Sequence, residues 1–336
     1  MKLKTIVTLF LLIVFIFIII EYDVINAENK FDKHVIRGKT YPVSIKNYDS
    51  SLNECDLIIK QEPKRIIAYH QNNIEILKKL NKESNLVGAV GRFVTTSNDT
   101  IDYKKNFLLS IPYYGLHGIN QEKAVYLRPD FILGWQSSFA GKGIWSLGTT
   151  DFWDKRHVNC YISMQRKNKL LKETLDGEFK YILDMGEIFN SQEESYLIVK
   201  TIQDRVNIIK SYEKNSKHLK ILVLDFFGSV ISSYDENRLP ADIIKSLGEE
   251  SVKISRRPSR EDVLMADPDI IFLIYKSYEE VNIKEKFLNE RIFLSLKAVK
   301  NKRVYTLPLT CIYNPGLRIA DGIEIIADGI NDSYDK

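Results

Sequence analysis

One sequence pattern occurs twice in this chain, once in each half, and it constrains the fold more than any other feature. A glutamate near the start of a short helical stretch is followed by a proline–aspartate pair and then by a run of apolar residues. The first copy covers residues 121–135 and the second covers residues 260–275. The proline ends each helix, and an apolar run without alternation is typical of a strand buried on both faces of a parallel sheet. The repeat therefore predicts two similar α/β lobes with a cleft between them.

The composition agrees with two globular lobes. The chain has 336 residues, enough for two domains of ordinary size, and 44% hydrophobic with 27% charged residues is typical of a protein that forms a core. The formal net charge is +4, from 48 basic and 44 acidic residues, and no long basic tract is interleaved with aromatic residues. Nucleic acid is therefore not expected as a partner.

Catalytic motifs are missing from the sequence. It contains no glycine-rich phosphate loop, no G-x-S-x-G nucleophile elbow and no H-E-x-x-H zinc motif. We therefore predict that the protein is not an enzyme and has no catalytic residues.

The first 27 residues predict export from the cytoplasm. Lys2 and Lys4 precede an uncharged apolar run over residues 5–20, and Ala27 offers a small residue at a cleavage point, which is the layout of a secretory signal. An uncleaved N-terminal anchor, held at the membrane surface by residues 5–20, is the alternative. In both cases the bulk of the protein is expected at the cell surface or secreted.

The cysteines indicate neither a metal site nor a disulfide framework. Cys55, Cys160 and Cys311 are far apart and form no C-x-x-C pair. None of them directly follows the apolar run, so the sequence offers no acceptor there for a lipid anchor.

Strands and helices are predicted to alternate in both halves, which is typical of doubly wound parallel sheets. The predicted strands are short apolar runs at residues 56–60, 65–69, 86–90, 131–135, 158–163, 220–226, 270–275 and 304–307. The predicted helices have apolar residues at helical spacing and lie at 73–80, 122–127, near 143–147, 239–247 and 317–330. Residues 191–216 contain neither proline nor glycine and predict one helix of ~35–40 Å, long enough to connect two lobes.

The order and spacing of several phrases resemble the substrate-binding proteins of ABC importers that handle iron-siderophores, haem and cobalamin. In that family one long helix joins two α/β lobes. The resemblance runs from about residue 63 to 330 and is carried by residues 63–68 with 75–77, 122–135, 184–189, 261–275 and 296–305. It implies an α/β fold of two doubly wound lobes with parallel sheets, one interlobe helix and a ligand cleft between the lobes.

The resemblance also divides the chain into segments. These are a signal peptide or anchor at 1–27, an N-terminal extension at 28–62, an N-terminal lobe at 63–190, the interlobe helix at 191–217 and a C-terminal lobe at 218–336.

Glu122 and Glu261 stand near the start of the repeated helices. From the residues alone, each is a first-turn carboxylate that the helix dipole stabilises by ~0.3–1 kcal/mol. The resemblance implies a second role, since one surface glutamate of each lobe in this family docks onto arginines of the membrane permease. The implied partners are therefore an ABC permease and its ATPase.

The predicted ligand site lies at the carboxyl ends of the strands, where open α/β sheets bind ligands. Aromatic residues follow several strands and favour a broad or ring-bearing ligand, while arginine and lysine, including Arg238, suit an anionic one. Each of these residues is alternatively core filler or solvated surface charge. The predicted ligand-binding residues are Tyr69, His70, Arg92, Tyr114, His117, Trp135, Phe139, Phe226, Lys276 and Arg318.

The resemblance implies that the ligand is a small metal chelate: a ferric siderophore, haem or a corrinoid. The protein would need no cofactor of its own. If the ligand is haem, His117 is the candidate for an axial iron ligand, and a loop histidine bonded to backbone is the alternative. A different class of function also remains open, namely a membrane-anchored haem or iron-complex sensor or relay protein that uses this fold without a transporter.

Overall fold

The computed structural model describes residues 41–91, 108, 110–140, 143, 146–164, 172–212, 218–276, 282–313 and 315–332. The predicted signal peptide or anchor, residues 28–40 of the predicted extension and Arg92 lie outside this part of the chain. Within the described residues, no helix is both long enough and apolar enough to cross a membrane.

The described chain begins with an antiparallel hairpin of β1 (Val43–Tyr48) and β2 (Glu54–Ile59). The hairpin lies against the edge of the N-terminal lobe. There the Asn47 amide donates to the Ile162 carbonyl oxygen at 3.2 Å, and the Ile162 N–H donates to the Asn47 side-chain oxygen at 2.9 Å. These two bonds attach the second part of the predicted extension to the lobe that follows it.

The N-terminal lobe is built on a five-stranded parallel sheet with the spatial order β5-β4-β3-β6-β7. Its strands are β3 (Ile66–Tyr69), β4 (Leu86–Val90), β5 (Tyr114–Gly115), β6 (Phe131–Trp135) and β7 (Asn159–Met164). Its helices are α1 (Gln71–Lys79), α2 (Gln121–Tyr126), α3 (Gln136–Ala140) and α4 (Thr150–Asp154), with a 3-10 turn at Glu83–Asn85. Since β3 and β4 are parallel neighbours joined through α1, they form the predicted βαβ unit.

Two antiparallel helices connect the lobes. They are α5 (Leu175–Ile188) and α6 (Gln192–Tyr212), and the 21 residues of α6 extend over ~32 Å. Gly186 lets the helices approach closely, because a Cβ at this position would overlap the Ser195 side chain of α6. The predicted single long helix is thus present as α6.

The C-terminal lobe repeats the architecture of the first. Its strands are β8 (Lys220–Phe227), β9 (Val230–Ser233), β10 (Glu250–Ser251), β11 (Ile270–Tyr275) and β12 (Val304–Pro308), in the order β10-β8-β11-β12 with β9 antiparallel to β8. Its helices are α7 (Leu239–Ser246), α8 (Arg260–Ala266), α9 (Ile283–Asn289), α10 (Lys297–Lys300) and α11 (Ile319–Asn331). Short 3-10 turns occur at Arg291–Ser295, Leu309–Cys311 and Gly316–Arg318.

The aspartate of the repeated proline–aspartate pair has the same structural role in both lobes. The Asp130 carboxylate accepts the N–H groups of Lys64 and Arg65 at 2.8 and 2.9 Å, just before β3. The Asp269 carboxylate accepts the N–H of Lys220 at 2.9 Å, at the start of β8. Each carboxylate therefore satisfies backbone donors at the amino end of the neighbouring parallel strand.

Alternate residues of the central strands face different cores. Ile66 of β3 and Ile221 of β8 belong to one continuous core that α1, α5, α6 and α11 share between the lobes. Ile67 and Leu222, one position further along, pack into a separate core on the outer face of each sheet. Both sheets are therefore covered on both faces, which confirms the predicted α/β fold of two mainly parallel lobes.

One predicted helix is wrong. At the described positions of the segment near 143–147, Gly143, Ser146 and Leu147 are not helical, and the helices lie on either side as α3 and α4. The positive φ of 139° at Gly143 shows why, since this conformation does not continue an α-helix.

Candidate functional site

The carboxyl ends of strands from both lobes meet at a small cavity of about 130 Å³. It is lined by His70, Gln71 and Trp135 of the N-terminal lobe and by Thr310, Tyr313 and Arg318 of the C-terminal lobe. Larger depressions lie away from these strand ends, such as one of about 570 Å³ between the hairpin and the start of α5. We take the interlobe cavity as the candidate ligand site because the strand ends of both sheets converge there.

An aromatic cluster crosses this cleft. The imidazole of His70 stacks on the indole of Trp135 with ring centroids 3.4 Å apart and an interplanar angle of 15°. Tyr313 meets the same indole edge-on at 5.6 Å. The guanidinium carbon of Arg238 lies 5.8 Å from the centre of the Tyr313 ring. The cluster presents ring faces and edges of the kind that bind flat or ring-bearing ligands.

The backbone of His70 is held in an unusual conformation between β3 and α1. Its φ of 70° is rare for a residue other than glycine. The His70 N–H donates to the Val90 carbonyl oxygen at 2.6 Å. Gly91 follows, and a Cβ there would lie only 3.2 Å from the His70 Cα. The close approach of these two strand-end loops positions the imidazole for its stack on Trp135.

Arg318 is paired inside the protein rather than presented as a free charge. Its side chain is 3% exposed and that of Glu75 on α1 is 0% exposed. The guanidinium donates from Nε to both carboxylate oxygens at 2.8 and 3.0 Å, and from Nη2 to Oε1 at 2.6 Å. Gln71 Nε2 donates to the same Oε1 at 2.7 Å. The prediction that Arg318 neutralises an anionic ligand is therefore corrected, since Glu75 already balances its charge.

Lys276 and Arg238 are also paired with carboxylates. The ammonium of Lys276 lies 2.8 Å from Oδ1 of the buried Asp225 and 3.4 Å from the centre of the Phe227 ring. Arg238 lies 2.6 Å from Glu173. Burial raises the pKa of the Glu173 carboxyl, and the nearby guanidinium opposes that shift. Arg318, Lys276 and Arg238 are thus each already paired with a carboxylate of the protein.

Two residues predicted to contact the ligand, Phe139 and Phe226, pack in or against the outer cores of the lobes. Phe139 is 1% exposed in the outer core of the N-terminal lobe and cannot touch a ligand in the cleft. Phe226 packs edge-on against Phe287 at 6.0 Å, and its neighbour Phe227 faces solvent. Side chains of a strand alternate between faces, so only one of these two phenylalanines can point away from the core. The predicted ligand contact of Phe139 is therefore corrected, whereas that of the half-buried Phe226 stays a prediction.

Tyr69 and Tyr114 position loops around the site. The Tyr69 hydroxyl donates to the Ile119 carbonyl oxygen at 3.0 Å and accepts the Ile119 N–H at 3.1 Å, and burial raises the pKa of this phenol. The half-buried Tyr114 donates to the Gly91 carbonyl oxygen at 2.8 Å. Neither residue lines the cavity.

His117 is exposed in the loop before α2. Among the residues that the structure describes, no three histidine, cysteine, aspartate or glutamate side chains are grouped closely enough to hold a metal ion. The role of His117 as a haem ligand stays a prediction.

Sequence reasoning missed Tyr313 and Thr310, which line the cavity from the C-terminal lobe. They follow β12, just as Trp135 ends β6 and Lys276 follows β11. Residues that follow the carboxyl end of a parallel strand lie where open α/β sheets bind ligands, so their place after β12 is the signal that indicates this pair.

The repeated glutamates lie on exposed helix starts. Glu122 is in the first turn of α2, where the Asn120 side chain caps the helix by accepting the Lys123 N–H at 2.8 Å. Glu261 is in the first turn of α8, which begins with a capping box between Ser259 and Asp262. Both carboxylates face solvent. Their helices are therefore stable without them, which leaves both glutamates available for a partner.

A half-buried acid lines the larger depression at the start of α5 and contacts the C-terminal lobe. Glu178 of α5 accepts the backbone N–H of Gly316 at 3.1 Å. Burial raises the pKa of this carboxyl to about 8, and the Gly316 N–H opposes the shift. The side chain is therefore mostly protonated at neutral pH, which removes a charge from the interlobe contact.

The pKa of Glu178 predicts a pH-dependent stability. Between the ordinary value of 4.5 and about 8, the folded protein keeps a proton that the unfolded chain loses, so the free energy of unfolding falls as pH rises through this window. We expect Glu178→Gln to stabilise the protein at pH 9 by at least about 1.4 kcal/mol, the equivalent of one pKa unit. Urea unfolding at pH 5 and pH 9 measures this, with the exposed Glu193→Gln as control. Equal pH dependence in Glu178→Gln and wild type would contradict it.

The fold and cleft are those of a two-lobed solute-binding protein, and the comparison with known families agrees. A sequence model described as Periplasmic binding protein matches residues 66–309. The chain belongs to this family. This membership confirms the family resemblance seen in the sequence. It also confirms the prediction of a solute-binding protein rather than an enzyme.

Individual relatives match almost the whole chain. The uncharacterized ABC transporter substrate-binding lipoprotein YvrC of Bacillus subtilis (strain 168) is 24% identical over 313 residues, 90% of each chain. A periplasmic binding protein from Veillonella parvula DSM 2008 is 29% identical with a TM-score of 0.76, over 86% of this chain and 91% of its own. An ABC-type Fe3+-hydroxamate transport system structure from Saccharomonospora viridis DSM 43017 is 20% identical with a TM-score of 0.69, over 86% of this chain and 99% of its own.

Proposed function

We propose that this protein is the extracytoplasmic substrate-binding component of an ABC importer and that it captures an iron chelate in the cleft between its lobes. The aromatic cluster of His70, Trp135 and Tyr313 carries this proposal, because it brings ring faces from both lobes to the carboxyl ends of the strands. Membership in the Periplasmic binding protein family and the transporter name of the Bacillus subtilis relative support it.

The charges around the cleft favour a neutral chelate over an anionic one. The described cations are already paired, as Arg238–Glu173, Lys276–Asp225 and Arg318–Glu75. An anionic ligand would compete with these carboxylates, whereas a neutral one leaves the pairs intact. A ferric tris-hydroxamate is neutral, and the Saccharomonospora viridis relative is named for Fe3+-hydroxamate transport. Haem and corrinoids are the candidates that the ring faces of the aromatic cluster favour.

Binding requires the aromatic cluster to open. The described cavity of about 130 Å³ is smaller than the ~300–1,000 Å³ of most small-molecule sites. The rings of His70, Trp135 and Tyr313 line this cavity and contact one another. A chelate therefore takes the place of ring-to-ring contacts within the protein, and the indole of Trp135 reports its arrival.

Glu122 and Glu261 are proposed to dock the loaded protein onto the permease, one from each lobe. Their exposure and their equivalent places in the repeat support this role. The predicted signal or anchor at residues 1–27 would place the protein outside the cytoplasm, and the Bacillus subtilis relative is named a lipoprotein. The alternative role as a sensor or relay predicts ligand binding without stimulation of any transporter ATPase.

Ligand titration tests the proposal. We expect a neutral ferric hydroxamate to quench the fluorescence of Trp135 saturably, and an anionic ferric catecholate to bind at least about tenfold more weakly, a difference of about 1.4 kcal/mol. Haemin and cobalamin complete the panel. Trp135→Phe controls for the signal from the other tryptophans. If no member of the panel quenches the fluorescence or raises the melting temperature, the proposed function is wrong.

A further inference from the structure

Two large apolar side chains are far more exposed than the other apolar residues of the structure. Met265 is 78% exposed and Tyr126 is 77% exposed, and the next among the described residues is Phe227 at 57%. They occupy equivalent positions in the two copies of the repeat. Each lies four residues after the repeated glutamate and four residues before the repeated aspartate, with Tyr126 on α2 and Met265 on α8.

The two helices are also rotated in the same way against their lobes. Ala124 of α2 and Val263 of α8, two residues after the glutamates, are both completely buried. Residues four apart in a helix lie on the same side, one turn from each other. Each lobe therefore presents to solvent a carboxylate and, one turn away on the same side of the helix, a strongly exposed apolar side chain.

The exposure of Tyr126 and of Met265 recurs at matched positions of the sequence repeat. Single exposed apolar side chains are common on protein surfaces and need no explanation. Here the same exposure recurs at matched positions of two helices, although the identity of the side chain changes from Tyr126 to Met265. Neither exposed side chain contributes core packing that would explain its presence. A shared external contact accounts for both.

We propose that Tyr126 and Met265, together with Glu122 and Glu261, form a two-part docking surface for the permease, and that each part receives an arginine and the apolar surface around it. This inference rests on the proposed function. An arginine has a planar cationic head and an apolar stem, so its head pairs with the carboxylate while its stem lies over the apolar side chain one turn away.

In the N-terminal part of this docking surface, the ring of Tyr126 already contacts a cation. The ammonium of Lys123 lies 5.0 Å from the centre of the Tyr126 ring. A guanidinium is a better partner for such a ring than an ammonium, because it is planar and more weakly hydrated. The polarizable thioether of Met265 offers an adaptable apolar contact in the equivalent place. The surface thus combines a charge contact and an apolar contact in each lobe.

The test measures binding to an ABC permease–ATPase complex for iron chelates from the same organism, reconstituted in lipid nanodiscs and chosen because the wild-type protein stimulates its ATPase activity. We expect Tyr126→Ser with Met265→Ser to weaken binding at least about tenfold, or about 1.4 kcal/mol. Leu197→Ser with Ile208→Ser removes two exposed apolar side chains from α6 and should change binding less than about twofold, as expected for residues outside an interface. Circular dichroism and thermal unfolding establish that each variant is folded.

Salt dependence separates the apolar contact from the charge contact. The serine variant should keep the salt dependence of wild-type binding, whereas Glu122→Ala with Glu261→Ala should lose most of it. Tyr126→Phe with Met265→Leu should bind like wild type.

Two results would overturn the inference while leaving the proposed function intact. One is wild-type binding by the serine variant when the glutamate variant fails to bind. The other is self-association of the wild-type chain that the serine variant abolishes, which would make a second copy the occupant. If the wild-type protein does not bind the complex at all, the proposed function fails as well.

Discussion

Replacing Glu75 by leucine is expected to lower the free energy of unfolding by about 3–5 kcal/mol. The substitution leaves the guanidinium of Arg318 buried without its carboxylate, although it makes three hydrogen bonds to Glu75 in the wild-type protein. Gln71 loses a 2.7 Å acceptor at the same time. The pair joins α1 of one lobe to the turn before α11 of the other, so the loss falls on the contact between the lobes. Urea unfolding followed by circular dichroism measures the effect.

A second substitution separates a buried unpaired charge from lost packing. Combining Glu75→Leu with Arg318→Met should recover most of the stability, because apolar side chains of similar volume replace a buried ion pair at little cost. Glu324→Gln breaks the exposed pair between Arg205 of α6 and Glu324 of α11, and should change stability by less than about 1 kcal/mol. Equal losses in Glu75→Leu and in the double variant would show that the charge of Arg318 is not the cause.

Replacing both Glu122 and Glu261 by alanine is expected to abolish stimulation of the transporter ATPase while leaving ligand affinity unchanged. Both side chains are exposed, and the helices that carry them are capped by Asn120 and Ser259, so the fold does not depend on them. At an interface, the loss of one partner from a buried charge pair costs about 2–5 kcal/mol, because the other charge is left unpaired. Two such losses predict at least about a hundredfold weaker binding to the permease complex.

The control for this experiment uses carboxylates with the same helix position but no proposed partner. Asp176 and Glu193 lie in the first turns of α5 and α6 and face solvent. If helix-dipole stabilisation were the whole role of the repeated glutamates, alanine at Asp176 and Glu193 would have the same effect as alanine at Glu122 and Glu261. A glutamate variant that loses ligand binding but still stimulates the ATPase would assign those residues to the ligand site instead.

Local signals in the sequence were enough to predict most of the architecture. The apolar runs at residues 86–90 and 131–135 are strands with those bounds, because a strand buried on both faces has a continuous apolar sequence. The helix α5 was not predicted. Glycine in the middle of a helix is unfavourable, so Gly186 does not indicate a helix in the sequence. Glycine is needed at this position because α6 packs closely against α5 there.

The candidate site was harder to predict from the sequence than the fold. Trp135 and His70 were found because they stand at strand ends, and the position of a strand end follows from local pattern. Which of them face the cleft depends on neighbours that are distant in sequence. Phe139 stands only four residues after Trp135, yet it is buried in the outer core because α3 turns it away from the cleft.

The pairing of the charged side chains could not be predicted from the sequence. Glu75 and Arg318 are 243 positions apart, and Lys276 follows β11 while Asp225 lies on the neighbouring strand β8. A free lysine or arginine and a paired one look the same in a sequence, because electrostatic energy depends on distance and burial rather than on residue type. The amino-acid pattern thus established two α/β lobes, a connecting helix and a family. The tertiary structure decided that the cleft holds an aromatic cluster and charges that are already neutralised, since both properties arise from contacts between residues that are distant in sequence.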